Sequence, residues 1–205
     1  MSRINVLVVE DEPLIATDIE EYLTNVDYKV STIAKTKTEA LNALKNHDFD
    51  LALLDINLGN NMDGFDIANT INSHYGIPFL YLTSYSGKNI VNQAKVTRPM
   101  GYILKPFEED DLFCSIEIAL YNHGQNQRPQ NLCLRTINDQ IFLKITSKEF
   151  DILEDIFEGK TNKQMATKHY VSINTIKSHV KNLYEKLETH SRSGTIVRIR
   201  ELMNN

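Results

Sequence analysis

Five side chains with complementary chemistry follow apolar runs in the first half of the sequence. Glu10 and Asp11 follow the first run, Asp55 ends a second, and Thr83 and Lys105 stand at the ends of two more. Carboxylates that lie together repel each other unless a hard cation neutralises them, and Mg²⁺ prefers oxygen ligands. A lysine opposite them could hold a phosphoryl oxygen. Brought together, these residues would form a magnesium site that handles a phosphoryl group.

The same residues are expected at one edge of a parallel sheet. Short apolar runs alternate with longer amphipathic ones over the first 120 residues, which is typical of α/β proteins. The runs predict strands at 4–9, 29–34, 51–55, 78–83 and 101–104, and helices at about 13–24, 37–47, 64–74, 87–96 and 108–121. The expected fold class is a doubly wound α/β sheet of five parallel strands. Ligands bind outside the carboxyl ends of such strands. One polar residue there often only ends a strand, but the whole set favours a site.

Motifs around these strand ends match a known family. They are Val8-Val9-Glu10-Asp11-Glu12, Leu53-Leu54-Asp55, Leu82-Thr83-Ser84 and Gly101-Tyr102-Ile103-Leu104-Lys105-Pro106-Phe107. Through them the N-terminal part resembles the receiver domains of two-component response regulators, which have a flavodoxin-like fold. The resemblance implies that Asp55 is a nucleophile that accepts a phosphoryl group from a phosphohistidine on a sensor histidine kinase.

The resemblance also implies roles for the residues around Asp55. Asp11 and Asp55 would ligate Mg²⁺ together with the backbone carbonyl of Asn57. Glu10 would support the metal through water, and Lys105 would pair with a phosphoryl oxygen.

Thr83 and Tyr102 would form the switch. The Thr83 hydroxyl would donate to a phosphoryl oxygen, draw the loop after the fourth strand inward and leave space for Tyr102 to turn toward the core. On sequence alone, a tyrosine that only fills space is an equally good interpretation of Tyr102. The loop after Asp55 departs from the family, which usually has a proline where this chain has Gly59, and residues 58–64 make it one residue longer. This departure affects the loop shape and hence the phosphoryl lifetime.

The second half of the chain has a different organisation. A polar stretch at 123–131 interrupts the periodicity and predicts a linker, and apolar residues around Asn138-Asp139 predict a short hairpin. We therefore expect a domain at 1–122, a linker with the hairpin at 123–145 and a small all-α domain of four helices at 146–205. Those helices are predicted at about 147–158, 162–169, 173–188 and 192–203, with Ser147, Thr161, Ser172 and Ser191 as their N-caps.

The third of these helices has two faces. Ile176, Val180, Leu183 and Leu187 recur at spacings of three and four residues and predict its buried face. Lys177, Ser178 and Lys181 lie off that face. This division suits a helix that reads the major groove of DNA, although an ordinary amphipathic surface helix has the same periodicity.

Residues 146–202 resemble the LuxR-type helix-turn-helix domain, which favours the DNA-binding interpretation. The matching motifs are Glu158-Gly159-Lys160-Thr161-Asn162-Lys163-Gln164-Met165-Ala166, Asn174-Thr175-Ile176-Lys177-Ser178-His179-Val180, Lys186-Leu187 and Ser191-Arg192. By position, Lys177, Ser178 and Lys181 would contact bases of double-stranded DNA, and Asn162, Thr175 and His179 would contact phosphates. The family's last helix commonly pairs subunits, which implies a homodimer favoured by phosphorylation.

Charge and composition agree with a nucleic-acid partner for the C-terminal part alone. Residues 1–124 have a net charge of −9 and residues 125–205 a net charge of +4, and 159–200 contain nine Lys or Arg against two acidic residues. Two cysteines without metal-ligand spacing argue against a disulfide scaffold and against a zinc finger. No stretch approaches the roughly 20 apolar residues that cross a bilayer. The sequence thus predicts a soluble cytoplasmic protein.

Three other functions compete with a phosphorylation-controlled transcription regulator. A phosphate carrier or kinase-binding module would not need basic residues on the third helix. A constitutive DNA-binding protein would not need the set Glu10, Asp11, Asp55, Thr83 and Lys105. A Mg²⁺-dependent phosphatase would need a cap over its substrate and further catalytic motifs. We therefore expect a regulator without a metabolic substrate, whose self-dephosphorylation is incidental.

Overall fold

A computed structural model describes residues 3–24, 27–59, 61–84 and 88–204 of the chain. The strands of its N-terminal part are β1 (Ile4–Val9), β2 (Tyr28–Ala34), β3 (Leu51–Asp55), β4 (Phe79–Thr83) and β5 (Gly101–Leu104). They form one sheet in the order β2-β1-β3-β4-β5, and β1, β3, β4 and β5 pair in parallel. Every residue of β3 and β4 is buried, as expected for central strands covered on both faces. The predicted fold class is confirmed.

Helices flank the sheet close to their predicted positions. They are α1 (Pro13–Thr24), α2 (Lys37–Asn46), α3 (Asp63–Thr70), α4 (Lys88–Val96) and α5 (Glu109–Gln127). Helix α3 continues as a π-helical turn over Ile71–Tyr75, so the predicted helix at 64–74 has two parts. Gly87, the predicted start of α4, lies outside the described residues. Helix α5 is longer than predicted.

The chain divides into two compact units: the first consists of residues 5–119, and the second consists mainly of residues 120–205. The second unit contains the last turns of α5 and the helices α6 (Leu134–Gln140), α7 (Ser147–Phe157), α8 (Asn162–His169), α9 (Ile173–Leu187) and α10 (Arg192–Asn204). Its core consists mainly of isoleucine, leucine and valine side chains from α6 to α10. The four predicted helices of the C-terminal domain are present within one residue at each end.

The predicted hairpin at 132–145 is wrong, because Leu134–Gln140 form helix α6. Ile137 of this helix is buried, and so are Ile141 and Ile145 in the non-helical segment between α6 and α7. Asn138 does not make a turn. Its side chain bonds to the Ile145 backbone twice, donating to the carbonyl at 2.9 Å and accepting from the N–H at 2.8 Å.

The polar stretch predicted as a linker is packed over part of its length. Helix α5 continues to Gln127, and a Cβ added to Gly124 would lie 2.0 Å from the Phe157 carbonyl oxygen. Gln125 donates to the same carbonyl at 3.1 Å. Arg128 forms an ion pair with Glu154 at 2.7 Å. The end of α5 is therefore held against the end of α7 by a contact that only glycine permits.

Hydrogen-bonding caps explain where the C-terminal helices begin. Thr161 and Ser172 accept from the backbone N–H of Gln164 and Thr175, and the Ser191 hydroxyl accepts from Gly194. The predicted cap Ser147 is wrong, because Thr146 caps α7 in a capping box with Glu149. Among the residues described, no helix is long and apolar enough to cross a bilayer.

Candidate functional site

The sheet brings the three predicted carboxylates together. Glu10 and Asp11 follow β1 directly, and Asp55 is the last residue of the neighbouring strand β3. One carboxylate oxygen from each lies within 4.8 Å of the other two. Glu10 and Asp55 are buried and Asp11 is half-buried. The strand order thus places side chains from distant parts of the sequence at one sheet edge, as predicted.

Lys105, which follows β5, reaches into this cluster. Its Nζ lies 2.5 Å from Asp55 Oδ2 and 2.8 Å from Glu10 Oε1, and its side chain is only 6% exposed. Burial alone lowers the pKa of Lys105, but the hydrogen bonds and charges of Asp55 and Glu10 outweigh it, so that the pKa is raised. Lys105 is therefore a fixed cation beside the Asp55 carboxylate.

The cluster has the chemistry of a magnesium site. The pKa of Glu10 is raised to about 7, because burial and the Asp55 charge together outweigh the opposing hydrogen bond from Lys105. One lysine faces three carboxylates, so a divalent cation would cancel the remaining negative charge. The oxygen donors of Glu10, Asp11 and Asp55 fit Mg²⁺. Asn57 donates its backbone N–H to Asp55 Oδ1 at 2.9 Å, and the metal role of its carbonyl stays a prediction.

Gly64 was missed by the sequence analysis as a residue that shapes this site. A Cβ added there would lie 2.3 Å from the Asp55 carbonyl oxygen and 2.8 Å from Ile56 Cα. The first turn of α3 therefore approaches the backbone of the predicted nucleophile more closely than any side chain allows. The signal was the glycine that ends the loop after Asp55, where the close approach of two backbone segments requires a residue without a side chain.

The predicted switch residues lie beside the cluster. Thr83 ends β4, is 3% exposed and accepts the Lys105 backbone N–H with its carbonyl at 2.9 Å. Tyr102 is half-buried, and its ring centroid is 6.0 Å from that of Tyr81. Among the residues described, nothing bonds to the Tyr102 hydroxyl. The ring already packs against the core, and the switch stays a prediction.

A second Tyr, which the sequence analysis did not select, anchors this region. The Tyr81 hydroxyl is 2.8 Å from Thr97 Oγ1, and Thr97 in turn bonds to the Ala94 carbonyl at the end of α4. Burial raises the pKa of Tyr81 strongly. Tyr81 thus links the centre of the sheet to α4, next to the half-buried Tyr102.

The recognition face predicted on α9 is accessible. Its apolar side is buried as predicted, through Ile176, Val180, Leu183 and Leu187. On the other side Thr175, Ser178 and Lys181 are exposed, and Lys177 and His179 are half-buried. Lys181 also lies 3.5 Å from Glu185 one turn later. These five side chains are accessible to a partner, whereas their individual DNA contacts stay predictions.

Buried acidic residues hold α9 and α8 in the domain. Glu149 is 3% exposed and accepts from Lys186 of α9 at 2.7 and 2.9 Å. Asp155 is fully buried and accepts from Lys160, Lys168 and His169 at 3.0, 2.6 and 2.6 Å. Burial raises the pKa of Asp155, but the hydrogen bonds from these three residues together hold it below its ordinary value.

These contacts correct the interpretation of the basic segment 159–200. Lys160, Lys168, Lys186 and Arg192 all bond within the domain, so they position helices and do not simply form a basic surface. The charge count therefore overstated the surface available to a polyanion. The lysines that still face outward from α9 are Lys177 and Lys181.

The prediction that the Asn162 side chain contacts a phosphate is wrong for this conformation. Asn162 is 1% exposed, and its Oδ1 accepts from Arg192 Nη2 at 2.8 Å. Arg192 is itself buried and also donates to the Lys160 carbonyl. A buried guanidinium needs such acceptors, so Asn162 stabilises the start of α8 against α10.

Replacing Asn162 with Ala should lower the stability of the second unit and leave its affinity for DNA unchanged per folded molecule. Loss of an acceptor for the buried Arg192 charge costs about 1–3 kcal/mol. Urea unfolding and DNA titration of the same variant separate the two effects. A stable Asn162→Ala protein with weakened DNA binding would restore the phosphate-contact assignment.

Two families match the chain. The family described as response regulator receiver domain matches residues 6–117, and that described as bacterial regulatory proteins, luxR family, matches residues 143–199. The chain is 30% identical over 200 residues to the nitrate/nitrite response regulator protein homolog of Haemophilus influenzae, which covers 95% of each chain. It is 28% identical over 199 residues to response regulator protein VraR of Staphylococcus saprophyticus, again over 95% of each.

Solved structures agree with the fold of the first unit. The signal receiver domain of a modulated diguanylate cyclase from Desulfovibrio desulfuricans superposes with a TM-score of 0.56 at 30% identity. The match covers 60% of this chain and 97% of that one. A CheY-like receiver domain from Methanospirillum hungatei also gives a TM-score of 0.56, at 26% identity, over 61% of this chain and 99% of that one.

Proposed function

Because this chain belongs to the DNA-binding response regulators, with a receiver domain and a LuxR-type helix-turn-helix domain, we propose that phosphorylation of Asp55 by a sensor histidine kinase controls its binding to DNA. The observation that carries the proposal is the buried cluster in which Lys105 lies 2.5 Å from Asp55 and one oxygen of each of three carboxylates lies within 4.8 Å of the others.

The chemistry at Asp55 is a phosphoryl transfer. A carboxylate oxygen of Asp55 attacks the phosphorus of a phosphohistidine, the P–N bond breaks, and the aspartate becomes an acyl phosphate. Mg²⁺ would be held by Asp11, Asp55 and the Asn57 carbonyl with support from Glu10, and it would neutralise charge on the phosphoryl oxygens.

Lys105 and Thr83 act on the phosphoryl group in this proposal. Lys105 already points at Asp55 Oδ2, so it can pair with a phosphoryl oxygen without crossing the site. The Thr83 hydroxyl donates to another phosphoryl oxygen, and the loop after β4 follows it, with Tyr102 as the responding side chain. Hydrolysis of the acyl phosphate returns Asp55 to its unphosphorylated state and converts no metabolic substrate.

A groove beside the cluster could admit a phosphodonor. It has a volume of about 280 Å³ and reaches Lys105, the side chain that pairs with Asp55. Its lining residues are Glu12, Ile15, Asp18, Ser84, Lys105, Pro106 and Phe107. A donor histidine that enters here would approach Asp55 from the side on which Lys105 can pair with an oxygen of the transferred phosphoryl group.

The DNA-binding part of the proposal places α9 in the major groove. Lys177, Ser178 and Lys181 contact bases, and Thr175 and His179 contact phosphates. In this proposal the protein is cytoplasmic and binds as a homodimer to a DNA site with two-fold symmetry. Ile196, Ile199 and Leu202 of α10 are buried in the core of the domain, so a dimer would use the other face of that helix.

Replacing Lys177 or Lys181 with Ala should weaken DNA binding by about tenfold or more each, since a contact to a base or phosphate contributes roughly 1–3 kcal/mol. Phosphorylation of Asp55 should be unchanged. Fluorescence anisotropy with a labelled duplex measures the affinity. Lys148→Ala is the matched control, because Lys148 is a 71% exposed lysine on α7 of the same unit. Equal affinity of all three variants and the wild type would disprove docking through α9.

A further inference from the structure

The loop after Asp55 closes as a tight turn with a glycine in the left-handed conformation. The Leu58 N–H donates to the Asn61 carbonyl at 2.9 Å, and the Asn61 N–H donates to the Leu58 carbonyl at 3.1 Å. Gly59, between them, has φ of 60°. Glycine and asparagine adopt this conformation readily, whereas most side chains are strained in it. The loop geometry therefore depends on the residue type at position 59.

The Gly59 backbone N–H points at the acidic cluster. It donates to Asp11 Oδ2 at 3.0 Å, across 48 positions of the sequence. A hydrogen bond to a carboxylate is charge-assisted and stronger than one between neutral groups. We propose that Gly59 is a positioning residue for Mg²⁺, whose amide orients the Asp11 carboxylate for the metal; this rests on the proposed function.

Different donors orient the three carboxylates, and the backbone N–H groups of Asn57 and Glu12 contribute to Asp55 and Glu10. Lys105 bonds to Glu10 and Asp55 from the β5 side of the sheet edge. The Gly59 amide bonds to Asp11 from the loop that follows β3. With Oδ2 held by the amide, Oδ1 of Asp11 would be available to a metal ion. Each metal ligand side chain thus has a partner that fixes its orientation, as metal ligands generally require.

This chain has Gly59 where the family usually has a proline, and the difference changes which hydrogen bonds the loop can make. A proline at position 59 has no N–H and cannot bond to Asp11. Its φ of about −65° also opposes the left-handed turn. This chain therefore has a donor to its metal site that the usual loop lacks at that position, and the turn with Gly59 presents it.

The test is Mg²⁺ titration of the full chain by calorimetry, with Gly59→Pro against Gly59→Asn. Loss of a group that orients a metal ligand typically weakens metal binding about tenfold or more, and we expect this for Gly59→Pro. Gly59→Asn keeps the N–H and tolerates the left-handed φ, and no described atom lies within 4 Å of an added Cβ. Its Mg²⁺ affinity should equal that of the wild type.

Asn61→Pro is the control for loop shape. It removes the bond from Asn61 to Leu58 in the same turn but keeps the Gly59 amide, so its Mg²⁺ affinity should stay within about twofold of the wild type, well short of the tenfold loss expected for an orienting group. Equal losses in Gly59→Pro and Asn61→Pro would overturn the proposal, as would unchanged affinity in Gly59→Pro. A wild-type chain that binds no Mg²⁺ would overturn the proposed function as well.

A measurement on the unsubstituted loop covers the case in which Gly59→Pro does not fold. The chain has eight glycines, so labelling with ¹⁵N-glycine gives a simple amide spectrum. The resonance that is present in the wild type and absent from Gly59→Asn belongs to Gly59. Although Gly59 is exposed, we expect its amide to exchange with solvent at least about tenfold more slowly than a free chain amide, because it is hydrogen-bonded. Exchange at the free-chain rate would contradict the bond to Asp11.

Discussion

Replacing Asp55 with Asn should abolish labelling of the chain by a small phosphodonor such as acetyl phosphate, and with it any increase in DNA binding that the donor produces. An amide is not a nucleophile toward phosphorus, so the loss should be complete at this site. The fold should persist, because the amide oxygen of an asparagine side chain at position 55 can still accept the Asn57 N–H. Removing one of three crowded carboxylates also relieves repulsion. Phosphate-affinity electrophoresis measures the labelling directly.

Asp48→Asn is the matched control for this experiment. Asp48 is an exposed aspartate of the same unit, between α2 and β3, and its replacement should leave labelling and DNA binding unchanged. Persistent labelling of Asp55→Asn at the wild-type rate would refute Asp55 as the nucleophile. Labelling lost from both variants would point to a general defect of the unit.

DNA binding by the same variants separates the competing functions. A pool of random duplexes, bound with and without acetyl phosphate and Mg²⁺, should enrich a sequence in the phosphorylated wild type and lose this dependence in Asp55→Asn. Equal enrichment in all conditions would indicate a constitutive DNA-binding protein. Labelling without any enrichment would indicate a phosphate carrier or kinase-binding module. Release of phosphate from many different esters would indicate a phosphatase.

The N-terminal fold and site were predictable because their sequence signals are local and repeated. Continuous apolar runs mark strands buried on both faces, and each run ends at the sheet edge where ligands bind. Asp55 and Lys105 could therefore be placed together, although 50 residues separate them. The amide of Gly59 could not, because a backbone donor carries no sequence signal and its direction depends on the turn.

Three of the wrong predictions for the second unit have a common physical cause. Asn138, Asn162 and Lys186 are polar residues whose side chains bond inside the domain. A pattern of polar and apolar residues assigns such side chains to turns or to the surface. Each of these side chains bonds to a partner that tertiary packing brings close, as Glu149 is brought close to Lys186. The spacing of residues in the sequence does not predict such a partner.

His123 is a buried titratable residue in the segment that was predicted to be a linker. It lies in the last turns of α5, is 5% exposed, and among the described residues no partner bonds to its Nε2. Burial lowers the pKa of His123 from 6.5 to about 4. The unfolded chain therefore binds a proton between these pH values, whereas the folded chain does not.

This difference in protonation sets the sign of a pH effect on the second unit. Because the pKa of His123 is lower in the folded state, the contribution of the neutral side chain to the free energy of unfolding is fully present above pH 6.5. This contribution is lost as the pH falls toward 4. With these pKa values, the free energy of unfolding should decrease by about 2 kcal/mol between pH 7.5 and pH 5. The carboxylates Glu149 and Asp155, whose pKa values are lowered, should contribute only at more acidic pH.

His123→Leu should remove this dependence, since leucine has a similar size and no proton to bind. Hydrogen exchange of peptides from α7 and α9, measured at pH 7.5 and pH 5 and corrected for intrinsic exchange rates, reports on the second unit separately from the sheet. The wild type should lose about thirtyfold in protection and the variant much less, because 1.4 kcal/mol corresponds to a factor of ten. His190→Gln, at an exposed histidine of the same unit, should behave as the wild type. Equal losses in wild type and His123→Leu would mean that His123 is accessible to protons in the folded state, and that the end of α5 does not stay packed against α7 in solution.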